Sequence, residues 1–310
     1  MRILRSHADL TADDRNASAA IGNFDGVHRG HQAVLQLART EAETRSVPLG
    51  VVTFEPHPRE VFAPDAPPFR LTNAETKAHR LARLGVDRLY ELSFDSALSS
   101  LTPEAFAQDV LADGLGLSHV VIGADFRFGK GRAGDAAMLR DFGARMGFDV
   151  TVAELLATGD ERISSTRIRE ALSAGEPARA AEMLGHLHRI DGPVIHGEKR
   201  GRLLGYPTAN MSMEGLHLPK FGVYAVTVDV LSGAKAGRYS GVSSLGVRPM
   251  FGENTPNLET FIFDFDGDLY DTHLSVGLVS FLRGEARFDT LDALIEQMDR
   301  DSSQAREILA

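Results

Sequence analysis

The feature that most limits what this chain can fold into is a change of apolar rhythm near its middle. Up to about residue 187, short apolar runs alternate with amphipathic segments of helical period: SAAIGNF, HQAVLQLARTEAETR, PLGVVTFEP, AETKAHRLARLG, VDRLYELSF, PEAFAQDVLADGLG, SHVVIGADF, DAAMLRDFGARMG and FDVTVAEL. Apolar runs separated by helices predict parallel strands covered on both faces, so this half is expected to be a doubly wound, Rossmann-like α/β domain. From His188 onward the stretches GVYAVTVDV, RYSGVSSLGV, LETFIFDF and GDLYDTHLSVGLVSF alternate or run short between glycines and prolines, and no long helix intervenes before LDALIEQMDRDSSQAREILA. That order predicts an antiparallel β-barrel or sandwich with a terminal helix. The segment SAGEPARAAEMLGHL, around 173–187, reads as a helical connector and places the domain boundary between 1–186 and 187–310.

A length of 310 residues agrees with two domains, since a single core rarely organises so long a chain. The start, MRILRSHADLTADDR, lacks the continuous apolar stretch of a secretory signal, and no later segment offers the roughly 20 apolar residues of a membrane span, so a cytoplasmic protein with no membrane partner is expected. The absence of cysteine removes disulfides, thiolate zinc sites and thiol nucleophiles, leaving oxygen, nitrogen and a hard metal ion for any catalysis. A formal charge of -10 opposes nonspecific binding to nucleic acid or anionic lipid. Anionic small molecules would then be captured locally, by backbone N–H groups and a few cations. The composition is compatible with a homo-oligomer.

The first place that invites such capture is Gly22-Asn23-Phe24-Asp25-Gly26-Val27-His28-Arg29-Gly30-His31, where an apolar strand gives way to a helix. A strand-to-helix turn in a doubly wound sheet aims unpaired N–H groups at the carboxyl edge, and two imidazoles three positions apart can face one way at the helix start. They can donate to phosphate oxygens as charge develops. A glycine turn with two solvent-facing histidines is the plainer reading of the same residues. A second cluster, Ile163-Ser164-Ser165-Thr166-Arg167-Ile168-Arg169, gathers hydroxyls and guanidiniums at another helix start, where arginine suits bidentate phosphate contact and an ordinary Ser/Thr cap is the alternative.

In the second half, the loop from Gly197 through Lys199, Gly201, Arg202 and Gly205 to Pro207-Thr208-Ala209-Asn210 combines glycine, basic charge and hard oxygen donors. Its amides can wrap polyphosphate, and the oxygens of Thr208 and Asn210 suit Mg²⁺. It is no Walker loop, because the Gly-Lys-Ser/Thr spacing is missing, and a solvated glycine loop is the competing reading. Glu259 precedes the alternating run Thr260–Phe265, and Asp266-Gly267 predicts a hairpin to the next strand. The spacing Asp264, Asp266, Asp268 fails as a calcium loop, with Leu269 at the required glycine and Ser275 at the closing glutamate. His186, His188 and His196 lack a companion carboxylate at metal-ligand spacing and read as surface or packing residues.

Taken together these segments resemble the bacterial bifunctional riboflavin kinase and FAD synthetase family. The likeness in the first half rests on Gly22–His31, Thr53-Phe54-Glu55-Pro56-His57-Pro58, the run from Lys77 to Leu84-Gly85-Val86-Asp87, Gly123-Ala124-Asp125-Phe126-Arg127-Phe128-Gly129 and Ile163–Arg169. In the second half it rests on Gly201–Asn210, Gly222-Val223-Tyr224, Gly246-Val247-Arg248-Pro249, Glu259–Tyr270 and Phe281-Leu282-Arg283 with Glu285 and Phe288. The resemblance implies that the first half transfers AMP from ATP to FMN, making FAD, with His28 and His31 on the ATP phosphates. Ser164, Ser165, Thr166 and Arg167 would complete the grip, and Asp125 would lie near nucleotide and flavin. In the second half it implies phosphorylation of riboflavin to FMN, Thr208 and Asn210 binding Mg-ATP and Glu259 accepting the ribityl hydroxyl proton. Two positions depart from the family pattern, Met250 where Thr is common and Asp271 where Gly is common, and the Ser243-Ser244 pair is less usual there than an Asn-containing version. A nucleotidyltransferase whose barrel only binds flavin, a flavin-sensing module, and a dinucleotide oxidoreductase built on Gly129-Lys130-Gly131-Arg132-Ala133-Gly134 with Glu154 are the alternatives.

Overall fold

Parallel pairing runs from edge to edge through the first of two six-stranded sheets. The computed structural model describes all residues but 155–156, 159–160, 196–205, 234, 251–252 and 271, and for 157–158, 161–162, 248–250 and 253–254 it describes backbone alone. Two compact units emerge, Met1–Pro67 with Lys77–Ile163 and Pro68–Thr76 with Ser164–Ala310.

In the first unit the elements follow as β1 (Arg2–Leu4), β2 (Ser18–Ile21), α1 (Arg29–Arg45), β3 (Leu49–Glu55), α2 (Pro58–Phe62), α3 (Ala74–Arg83), β4 (Arg88–Ser93), α4 (Ser96–Ser99), α5 (Pro103–Ala105), β5 (His119–Gly123), α6 (Ala136–Met146) and β6 (Asp149–Ala153), then a short hairpin of β7 (Ala157–Thr158) and β8 (Glu161–Arg162). The strand order is β1-β4-β3-β2-β5-β6. The central strands bury nearly every side chain, which is why their sequences are continuous apolar runs: β2 is buried throughout and β3 up to Phe54. Helix ends carry their own signals. Asp135 accepts from Met138 N at 3.0 Å to start α6, and Gly147, at φ +86°, stops it in the left-handed region that glycine enters without strain. β1 is too short to show a rhythm and escapes the periodicity reading, whereas the helix expected over PEAFAQDVLADGLG forms, taking π-helical shape over Phe106–Gly114 where it continues α5.

The second unit holds α7 (Ser165–Ala174), α8 (Pro177–Leu184), β9 (His188–Pro193), β10 (Thr208–Ser212), β11 (Gly222–Val230), β12 (Gly237–Met250), β13 (Glu253–Ile262), β14 (His273–Arg283) and α9 (Leu291–Leu309). Its sheet is antiparallel, in the order β10-β13-β12-β11-β14-β9. The sheet curls until its two edges approach, and Ile195 N donates to Asn210 O at 2.8 Å across the gap. Side chains alternate across it: Tyr224, Val226, Val228, Leu245, Leu258 and Val276 fill the interior, while Ala225 and Phe263 face outward to meet Ala305 of α9. Residues 68–76 contribute to this unit. Leu71 is buried with Ile168, Leu172 and Leu184, and Asn73 Nδ2 donates to Asp191 O at 3.0 Å.

The predicted hairpin at Asp266-Gly267 does not form. β13 pairs with β10 and β12, β14 pairs with β9 and β11, and residues 263–270 leave β13 without turning back on it. Tertiary packing overrides the local turn signal here: Phe263 is buried against Ala225 and Ala305, Asp264 turns into the left-handed region at φ +55°, and the Asp268 carboxylate accepts from Tyr270 N at 3.0 Å.

Candidate active sites

Along the parallel sheet, the chain runs β2 to β3 to β4 in one direction and places β5 and β6 on the other side of β2. The order therefore reverses between β2 and β5, the position at which ligands bind at the carboxyl edge of such sheets. Two of the predicted segments flank it, Gly22–His28 after β2 and Asp125 after β5. The loop is tightly folded: Phe24, Gly26 and Val27 have φ of +51°, +80° and +43°, and Val27 N donates to Phe24 O at 3.1 Å. For a β-branched residue such as Val27 this is an unfavourable conformation that the surroundings must hold. Phe24, Asp25 and Val27 are buried beneath the turn.

His28 is the N-cap of α1, its Nδ1 accepting from His31 N at 3.3 Å. That bond leaves the proton of the neutral ring on Nε2, pointing a donor away from the helix. The His28 and His31 rings stack with centroids 3.7 Å apart and 14° between planes. A Cβ on Gly30 would stand 3.0 Å from His28 Cε1, so the bare glycine lets the ring lie over the first helical turn. Burial, with smaller contributions from the neighbouring His28 and Lys77, holds the His31 pKa well below the ordinary histidine value, so the ring is neutral at physiological pH. Its Nδ1 is buried and has no hydrogen-bond partner among the described residues. Ordered around the same edge are aromatic rings: Phe62 and Phe94, which the motif reading passed over, meet edge to face at 5.6 Å with Phe62 67% exposed, and Phe126 of the Gly123–Gly129 motif stacks with Phe128 at 5.7 Å.

Other expectations for this half fall out simply. Asp125 is exposed at the end of β5, and its Oδ1 lies 3.2 Å from where a Gly123 Cβ would be. His57 caps α2, accepting from Arg59 N at 3.1 Å. The Gly129–Gly134 run is no dinucleotide turn: Phe128 N and Gly134 O pair at 3.2 Å and Gly134 N and Phe128 O at 2.9 Å, closing a loop around a buried Phe128. Ser164, Ser165, Thr166 and Arg167 open α7 in the second unit, where Ser164 Oγ accepts from Arg167 N at 3.4 Å as an N-cap.

In the second unit a cavity of about 600 Å³ lies on the outer face of the curled sheet beneath α9. Thr208 and Glu259 both open onto it, joined by Ser244, Phe261, Leu294 and Met298. Register explains the grouping: Asn210 is opposite Glu259, Glu259 is opposite Ser244, and Thr208 is opposite Phe261, so all lie on one face. Asn210 is deeper, outside the cavity lining, its Oδ1 accepting from Asn257 Nδ2 at 2.8 Å. Asn257 Oδ1 is buried without a hydrogen-bond partner among the described residues. Gly197, Lys199, Gly201, Arg202 and Gly205 lie outside the described residues, as does Asp271, while Pro207 is exposed just before β10.

The roof of this cavity is the part the sequence motifs did not anticipate. Leu291, Leu294 and Met298 recur at helical spacing on α9 and turn toward it. The helix is pinned by Arg283, which binds both carboxylate oxygens of Asp301, with Nη2 to Oδ2 at 2.7 Å, and by the Tyr206 hydroxyl donating to Asp299 Oδ1. Ser243, of the pair that is less usual in the family, is buried in the sheet with its hydroxyl 2.7 Å from Thr260 Oγ1, whereas Ser244 faces the cavity.

Family models described as FAD synthetase and riboflavin kinase match residues 10–167 and 184–309. The bifunctional riboflavin kinase/FMN adenylyltransferase of Pseudomonas fluorescens is 42% identical, covering 100% of this chain and 98% of its own. The protein of the same name from Escherichia coli (strain K12) is 41% identical over 99% of this chain and 97% of its own, and that of Bacillus subtilis (strain 168) 35% identical over 98% and 96%. A solved structure described as a macrolide-efflux protein from Streptococcus pneumoniae is 29% identical, with a TM-score of 0.83 over 98% of each chain. No helix among the described residues is long and apolar enough to cross a membrane.

Proposed function

Since the chain belongs to the bifunctional riboflavin kinase/FMN adenylyltransferase family, we propose that its two reactions are divided between the two sites just described. The chain phosphorylates riboflavin with ATP to give FMN and ADP, and joins FMN to the AMP of a second ATP to give FAD and diphosphate. We assign adenylyl transfer to residues 1–186 and phosphoryl transfer to 187–310. The ATP that both reactions consume supports a cytoplasmic location, and the net charge of -10 argues against nucleic-acid partners.

For adenylyl transfer, an FMN phosphate oxygen attacks the α-phosphorus of ATP as diphosphate leaves. The His28 Nε2–H and the amides at the start of α1 would bind the phosphates and the charge they gain in the transition state, with Asn23, Phe24, Asp25 and Gly26 shaping the cradle. We assign further contacts to Ser164, Ser165, Thr166 and Arg167, and place Asp125 beside the nucleotide and flavin. The exposed Phe62 supports a role in stacking against the isoalloxazine.

For phosphoryl transfer, Glu259 would accept the proton of the ribityl 5′-hydroxyl as its oxygen attacks the γ-phosphorus of ATP. The carrying observation is that Glu259 and Thr208 share one cavity with an aromatic and apolar wall, a shape that takes a flavin ring at one end and phosphate at the other. The hydroxyl of Thr208 and the side-chain oxygen of Asn210 would hold Mg²⁺; the hard oxygen donors and the orphaned Asn257 Oδ1 beside them fit such an ion. Mg²⁺ would neutralise charge on the phosphates, and the loop with Gly197, Lys199, Gly201, Arg202 and Gly205 would wrap them. Crystals soaked with ATP and riboflavin test the division: nucleotide phosphates are expected at the start of α1 and beside Thr208, and nucleotide in one unit alone would overturn it.

A further inference from the structure

Among the described residues of the first unit, Lys77 is the most buried cation. On α3 it reads as a polar position of an amphipathic helix, yet its side chain is only 2% exposed. Its ammonium donates to Glu55 Oε1 at 2.6 Å and to Thr53 Oγ1 at 3.1 Å. Thr53, itself fully buried, donates to the carbonyl of Asn23 at 3.1 Å. The polarity of this chain of bonds is set by chemistry: an ammonium can only donate, so the threonine hydroxyl accepts from it and must aim its single hydrogen elsewhere. That hydrogen reaches the loop that carries His28.

Stability alone is a weak reason for such a group, because replacing a buried ion pair with apolar side chains of similar volume is often neutral or stabilising. The loop supplies a better one. Three of its residues have positive φ, two of them not glycine, and this backbone persists only where its surroundings hold it. Gly22 N to Val52 O at 3.1 Å and Gln32 Nε2 to Val27 O at 2.8 Å hold its two ends, and the Thr53 hydroxyl holds Asn23 between them.

We propose that Lys77 is a positioning residue for adenylyl transfer, fixing the Asn23–His28 turn through Thr53 while Glu55 fixes Lys77. Lys77 acts through others and touches no reacting atom. The inference rests on His28 and His31 serving the ATP phosphates, a reading that fails separately if His28→Ala leaves FAD formation intact.

Three variants of the full chain decide it, each assayed for FAD from FMN and ATP and for FMN from riboflavin and ATP. Lys77→Met should lower kcat for FAD formation by about 100-fold with little change in the ATP KM, the split expected of lost positioning, and leave the kinase unchanged. Thr53→Val, which keeps shape and removes the hydroxyl, should lower the same kcat by about 10-fold. Lys77→Met with Glu55→Leu leaves no lone buried charge and decides the matter should the single variant not fold. Its FAD formation should stay low at wild-type melting temperature. Recovery of FAD formation in this double variant would mean that Lys77 only neutralises Glu55, and wild-type rates in Thr53→Val would remove the relay; either result overturns the proposal.

Discussion

On the division of activities proposed above, the two units solve the same problem, holding a polyphosphate beside a flavin, with different materials. In the parallel-sheet unit the grip would come from backbone and imidazole at the start of α1, a position that follows from topology, since the strand order reverses between β2 and β5. In the barrel unit it would come from hydroxyl, amide and carboxylate oxygens on the outer face of β10, β12 and β13, a position that follows from what covers that face, namely α9. A sheet edge locates the first site; a roof locates the second. It follows that backbone strain matters in the first, where Val27 sits at φ +43°, and side-chain chemistry in the second.

The sharpest way to break the comparison is to remove the carboxylate. Glu259→Gln should cut the riboflavin kinase kcat by about 10³-fold while FMN is still converted to FAD, as loss of a general base predicts. Retained FMN formation in the purified variant would end the base assignment. His28→Ala is the converse, with FAD formation lowered by about 100-fold and kinase turnover intact; equal loss of both in a folded protein would point to one shared site.

Acid should weaken the barrel unit through one identifiable group. His188 is buried on β9, and desolvation, with His186 and His217 adding to it, lowers its pKa to about 3. The folded state therefore favours the neutral ring, so its contribution is intact above the unfolded value near 6.5 and is lost as pH falls from there toward about 3, where the loss levels off. At pH 5 the penalty is about 2 kcal/mol, and His188→Gln should flatten that part of the melting profile of the barrel unit. An unchanged slope would mean that His188 is not the titrating group. The smallest effect is expected at the roof, where Leu294→Ala should raise the KM for riboflavin by about 10-fold and leave the KM for FMN in FAD formation unchanged.

Much of this was legible in the residues. The continuous run Val51-Val52 marked a strand buried on both faces, and the glycines with His28 and His31 marked a strand-to-helix turn with His28 at the helix cap. Thr208 and Glu259 were identified as one site although many residues separate them, because the resemblance supplied what spacing could not. Pairing partners were another matter. Asp266-Gly267 carries a local turn signal, but the burial of Phe263 against Ala225 and Ala305 depends on a helix some 40 residues further on, which no local pattern contains. Lys77 was hidden for the same reason: on α3 it looks like any solvent-facing lysine, and only the tertiary approach of Thr53 and Glu55 reveals its burial.

The excursion of residues 68–76 into the second unit bears on how such a protein could be divided or assembled. Leu71 lies in a core with Ile168 and Leu172, and Asn73 bonds to the backbone of β9, although both come from the middle of the transferase half. No single break in the gene would yield both pieces whole: a cut after 163 strands Leu71 with the wrong partner, and a kinase grafted elsewhere from 187 onward leaves it behind. Recombination that shuffled these activities as independent cassettes would have had to carry two separate stretches of coding sequence together.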